Sequence, residues 1–440
     1  MHSYELASTT GSRSYSIWLK LFFCAVFLVM GAETIGPIKI PFGANNIVLL
    51  PYLWATLAGL AVGLMRARTP KILSVDLAAQ RKASVIFQAA VLIFIAKLGL
   101  LVGESIPLII DAGWAILFQE LGHFVGTILF ALPLALMLGI KREAVGATFS
   151  VGREPSLAII GEKYGMNSPE GRGVMGEYLT TTLFGTLFMT VAASIVVSLD
   201  IFDPRSLAMG AGIGSGTMMA AAATAIAAQQ PPALAKEVMA LAAASNLITT
   251  TVGTYFSILI SLPLANWAYR TFEPIIGRTT VASITSSEVS PDAVTEAELD
   301  WRGKIFAWIA VAALALIASY VATNGFSPEI YAGLALLIVV AAIGEVLSHL
   351  SFKKVPVVCW VSLVAMFLSS PANPLANEVK KLADAVNILS LITPVLAYVG
   401  LSIAKDIPAL RRLGWRLVLV SLLATFGTFI CATLVAELFH

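Results

Sequence analysis

Arg153, Glu154 and Pro155 stand side by side in GATFSVGREPSLAIIGEKYG (146–165), inside one of the most apolar stretches of the chain. An Arg or Glu at the centre of a bilayer costs about 2.5–3.5 kcal/mol on insertion scales. Pro155 removes a backbone donor and its ring pushes against the Val151 carbonyl, while Gly152 lets the chain leave helical geometry cheaply. Such residues describe a helix broken near mid-membrane, which is tolerated only where the break is buried in protein or lines a wet cavity. A guanidinium beside free backbone amides can bind a carboxylate bidentately, with Ser150, Gly152, Glu154 and Ser156 around it. Two plainer readings stay open: Arg153 and Glu154 staple two helices, or both lie in a surface loop.

A second segment repeats the pattern without charge. AVGATFSVGREPSLA (144–158) aligns with AMGAGIGSGTMMAAA (208–222) through shared Gly and Ala positions. There Gly214, Ser215, Gly216 and Thr217 can offer hydroxyls and exposed backbone, or simply pack helices closely through small residues. Asn246 and Thr249, with Ser245 and Thr250, form a polar patch whose oxygens suit Na⁺ or an interhelical hydrogen bond. In LFQELGHFVGT, Glu120 and His123 share a helix face at i, i+3, as a proton relay or as an inward polar cluster. Lys97 either snorkels outward or pairs with Glu120. No metal-ligand cluster, catalytic triad order or phosphate-binding loop stands out, so neither an enzyme nor a bound cofactor is expected, only H⁺ or Na⁺ as a coupling ion.

The elements that must position these residues follow from composition. Of 440 residues, 58% are hydrophobic and 12% charged, with mean hydropathy +0.87; soluble domains carry about 25% charged residues. The expected class is an all-α integral membrane protein, and a net charge of +2 gives no reason to expect a nucleic-acid partner. Cys24, Cys359 and Cys431 lie in apolar runs, unlike a disulfide framework. Apolar runs fall at 17–35, 46–65, 84–103, 113–139, 144–163, 174–198, 206–228, 238–268, 303–323, 328–346, 355–370, 386–404 and 414–438, about thirteen crossings if each spans fully. The first is expected to be a retained span rather than a cleaved signal. Basic loops at Arg66–Lys82, Lys141–Arg142, Lys353–Lys354 and Lys405–Arg412 then share one side, which places the N-terminus in the cytoplasm and the C-terminus outside.

An offset of 301 residues aligns 90–137 with 391–438 at twelve of forty-eight positions, including Gly99, Pro107, Gly113, Trp114, Gly126 and Thr127. The turn is acidic in the first copy (Glu104, Asp111) and basic in the second, so the copies should point oppositely, as in the inverted repeats of secondary transporters. The expected division is a scaffold repeat at 1–139, a core with broken helices at 140–268, a polar cytoplasmic linker at 269–302 and a second scaffold repeat at 303–440. Thr295 and Glu298 form a capping-box pattern ahead of the next span.

SVGREPSLAIIGEKYG followed by DPRSLAMGAGIGSGTMMAAA resembles the LrgB/CidB membrane proteins, with Ser150, Val151, Pro155, Gly216 and Thr217 matching in type and order over about 140–260. That family includes plastid glycolate/glycerate translocators and bacterial pyruvate carriers, and was long described as murein-hydrolase regulators. The resemblance implies an elevator-type carrier of small hydroxy- or keto-acids, driven by H⁺ or Na⁺, working as a homodimer in a bacterial inner membrane. Ile213 stands where the family often has His, and the Arg153–Glu154 pair is a departure, so substrate and coupling ion need not be shared. The whole chain also resembles an uncharacterised bacterial inner-membrane family. The alternative function is a regulatory or pore-forming, holin/antiholin-like membrane protein.

Overall fold

The computed structural model describes residues 2–42, 45–65, 74–151, 154–166, 168–251, 253–277, 299–323, 325, 327–352, 355–408 and 414–439. The chain is nearly all helical. Helix α1 (His2–Ile35) leads into an antiparallel hairpin, β1 (Ile38–Phe42) and β2 (Asn45–Leu49), in which Ile40 faces Ile47. Then come α2 (Pro51–Leu64), α3 (Leu77–Glu104), α4 (Ile106–Asp111) and α5 (Ala115–Met137), the last carrying a π-turn at Thr127–Ala131 ahead of Pro133.

The middle of the chain forms α6 (Glu143–Thr148), α7 (Glu154–Tyr164), α8 (Pro169–Ser198), α9 (Pro204–Ala211), α10 (Gly216–Ala227), α11 (Pro232–Thr251) and α12 (253–276). The last third supplies α13 (Trp301–Thr323), α14 (Glu329–Leu350), α15 (Val357–Ser369), α16 (Ala376–Asp384), α17 (Ile388–Ile403) and α18 (Trp415–Glu437).

Among the described residues, seven helices are long and apolar enough to cross a membrane: the Ile17–Ile35 part of α1, then α3, α5, α8, α13, α14 and α18. The bent pair α16–α17, at 62°, makes an eighth if taken as one span. Of the thirteen expected crossings, seven are met by such helices, eight with the bent pair. Runs 144–163 and 206–228 each divide into two short helices, and 355–370 holds only the thirteen-residue α15. Run 46–65 is part strand, because β-branched Ile47 and Val48 pair with β1 before Pro51 starts α2. Irregular backbone buried in an apolar bundle needs partners. Ser194 of α8 supplies them, accepting from Val48 N at 2.9 Å and donating to Val48 O at 3.1 Å. α12 continues to Ile276, past residue 269 where the polar linker is expected to begin; Thr295 and Glu298 lie outside the described residues.

α3 is the central post, with Asp76 capping its first turn and nearly all of Ala89–Gly103 buried. α17 packs against it. Gly99 of α3 sits against Ala365 and Ser362 of α15, and Gly400, 301 residues on, sits against Thr56 of α2. In the same way α5 lies antiparallel to α18: Gly122 meets Cys431 and Gly126 meets Gly427. Equivalent positions of the two copies thus occupy matching places in the packing.

Candidate functional site

The two helical breaks are tips of hairpins whose feet are fixed by ion pairs. At the foot of the first, Arg142 Nη2 lies 2.5 Å from Glu170 Oε1, and Arg172 Nη2 lies 2.8 Å from Glu143 Oε1. Residues just before or at the start of α6 therefore touch the first turn of α8, to which α7 returns through a short turn. Gly146 and Gly173 allow that approach, each lying directly on backbone of the other helix. The chain enters and leaves the α6–α7 hairpin at one end of the bundle.

The second hairpin, α9–α10, is built the same way. Asp203 caps α9 by accepting from Arg205 N at 2.7 Å, and Arg205 Nη2 reaches Glu237 Oε2 on α11 at 2.8 Å. Its feet lie at the far end of α8, which is 30 residues long, about 45 Å at 1.5 Å per residue. The two hairpins thus enter from opposite ends and their tips point inward.

α11 holds the second tip and borders the first. Asn246 Nδ2 donates to the carbonyls of Gly212 at 2.9 Å and Gly214 at 3.3 Å, and Ser245 Oγ donates to Met209 O at 2.7 Å. These bonds satisfy carbonyls freed at the end of α9. Gly214 has φ +63°, a left-handed conformation that favours glycine. Ser215 caps α10 at Met218 N and shares a 3.0 Å hydrogen bond with Thr217. One turn beyond Asn246, Thr249 lines a small cavity at the first tip.

That cavity has room for about one water molecule. Its walls are His123 and Phe124 of α5, Ser150, Pro155, Ser156 and Ile159 of the first hairpin, and Thr249, Gly253 and Ser257. Ser261 donates to the Phe149 carbonyl, closing the last turn of α6 from the side of α12. His123 is 2% exposed; its Nδ1 lies 3.4 Å from Glu120 Oε2, and its ring lies on Phe124, which stacks on Phe256. Gln119 Nε2 donates to Glu120 Oε1 at 3.4 Å. His123 Nε2 has no hydrogen-bond partner among the described residues. The arrangement can hold a proton between Glu120 and His123 and offer hydroxyls to a polar ligand.

Of the residues expected from sequence, Ser150, Ser156, His123 and Thr249 meet at one cavity, with Glu120 behind His123. Gly214, Ser215, Gly216, Thr217 and Asn246 gather at the second tip. Gly152 and Arg153 lie outside the described residues, and Glu154 opens α7. Lys97 does not turn to Glu120: it donates to the Ala383 carbonyl. Sequence reading passed over Ser257 and Ser261, whose i, i+4 spacing in an apolar run places both on one helix face. No group of three or more His, Cys, Asp or Glu that could hold a metal occurs among the described residues.

The chain belongs to the family described as protein of unknown function DUF3100, whose model matches residues 30–271, both hairpins included. No curated protein and no solved structure matches it.

Proposed function

We propose that this protein is a secondary active transporter of a small organic anion, a hydroxy- or keto-carboxylate, coupled to H⁺. The observation that carries this reading is the convergence of two oppositely entering hairpin tips on α11, between Asn246 and Thr249. Broken helices that present backbone groups at the middle of a bundle are how many carriers bind solutes and ions. The core, 140–268, then moves as an elevator against a scaffold made of the two repeat copies, in a homodimer in a bacterial inner membrane. Close glycine-on-backbone packing within the scaffold, at Gly126 and Gly427, suits a rigid support.

In this reading Arg153 supplies the fork that takes the carboxylate, with Ser150, Ser156, Ser215 and Thr217 offering hydroxyls. Glu120 and His123 carry the coupling proton; Na⁺ on the oxygens of the second tip is the alternative ion. Purified protein in proteoliposomes is the test, with radiolabelled lactate, glycolate and pyruvate as probes. Saturable uptake and counterflow of one of them are expected, with severe loss in Arg153→Lys, because a point charge cannot replace a bidentate fork. Unsaturable flux, or near-normal uptake by Arg153→Lys, would overturn the assignment.

A further inference from the structure

A second cavity, of about 410 Å³, opens away from the hairpin tips. Lys97 and Leu101 of α3, Lys236 of α11, Ser319 and Thr323 of α13, and the 62° bend between α16 and α17 wall it. Its charged lining consists of Lys97, Lys236 and Asp384. Asp384 is already engaged, with its carboxylate oxygens 3.1 and 3.2 Å from Lys236 Nζ. Glu104, further along α3, is held by Lys380. Lys97 is 2% exposed, and among the described residues its acceptor is the neutral Ala383 carbonyl. An ammonium has three donors, and a buried charge is costly unless an opposite charge meets it. Two cations and one carboxylate leave the cavity one negative charge short. The first turn of α17, a sixteen-residue helix, adds its positive end at Asn387 and Ile388.

We propose that this cavity binds a singly charged oxyanion, a carboxylate or a phosphodiester, between Lys97 and Lys236. The site stands apart from the hairpin tips and does not depend on the transport reading. The same chemistry has two sources, a soluble carboxylate or the headgroup of an anionic lipid. Because Lys236 is on α11 and Asp384 is at the α16–α17 bend, the anion would sit on the seam between the hairpin-bearing segment and the repeat helices.

The test is thermal melting of the full-length protein in neutral detergent at constant ionic strength. One arm adds sodium acetate; the other adds micelles doped with phosphatidylglycerol, against phosphatidylcholine as control. At ten times its dissociation constant a ligand should raise Tm by about 1–2 °C for a chain of this size. A saturable rise in either arm that vanishes in Lys236→Gln and persists in His123→Ala carries the proposal, and the responding arm names the source. Lys236 is half exposed, so its loss should not prevent folding; Lys97→Met provides the buried counterpart. No rise in either arm, a rise retained in Lys236→Gln, or a rise lost in His123→Ala would overturn it.

Discussion

Gly126 of α5 lies against Gly427 of α18, and the two are separated by the same 301 residues that relate the repeat copies. A methyl group on Gly427 would come within 2.6 Å of the Gly126 carbonyl oxygen and 2.8 Å of Phe130 Cβ. Because Gly122 meets Cys431 on the same seam, positions run in opposite directions along the two helices. Two equivalent residues touch across an antiparallel pair only near a local two-fold relation between the copies.

Gly427→Leu should therefore separate α5 from α18 and destabilise the protein by about 1–3 kcal/mol, the cost of overpacking a close seam. Thermal melting checks it, with Gly31→Ala on α1 as control. Nothing lies within 4 Å of where a Gly31 side chain would begin, so that change should stay within about 0.5 kcal/mol.

The carbonyls of Gly212 and Gly214 depend on one amide, that of Asn246. Asn246→Leu keeps the volume and removes the donor, leaving buried acceptors unpaired at about 1–3 kcal/mol in total. The expected outcome is lower Tm together with loss of uptake. A variant that melts normally and transports normally would show that the second tip does not need this anchor.

Glu143 and Arg172 tie the foot of the first hairpin at 2.8 Å, with side chains 13% and 28% exposed. Either Glu143→Arg or Arg172→Glu alone sets like charges face to face. The exchanged pair, Glu143→Arg with Arg172→Glu, should recover part of the loss, and a double-mutant cycle on Tm measures the coupling, expected at about 0.5–3 kcal/mol. Additivity of the single changes would mean that the pair does not hold the hairpin.

The sequence made the two breaks legible because Pro155 and the Gly212–Gly216 cluster act locally on the backbone. It also carried the repeat through Gly126, Gly427 and their neighbours, which packing forbids to be larger. Entry and exit at one end of the bundle were not legible. Hydropathy reads length, and 144–163 is as long and apolar as a span; what folds it back is Arg142 meeting Glu170 and Arg172 meeting Glu143, partners 28 and 29 residues apart. The β-hairpin escaped for a related reason: Ile47 and Val48 read as one apolar run with α2, and their pairing with β1 depends on Ser194 of α8, 146 residues on.

Glu120 and His123 give the last expectation. They lie 3.4 Å apart on α5, buried, with Ser150, Ser156, Thr249 and Ser257 across the small cavity from the imidazole. Among the described residues lining that cavity, His123 is the one with an imidazole, whose two ring nitrogens can give and take a proton. If the pair carries one proton per anion, a gradient of one pH unit supplies about 1.4 kcal/mol, enough to accumulate solute about tenfold. Glu120→Gln keeps the size and hydrogen bonding of the side chain but removes its charge and its proton exchange. Proteoliposomes with that variant should equilibrate the solute through counterflow yet fail to concentrate it against an imposed pH gradient. Tenfold accumulation by Glu120→Gln would mean that the coupling proton is carried elsewhere than on this pair.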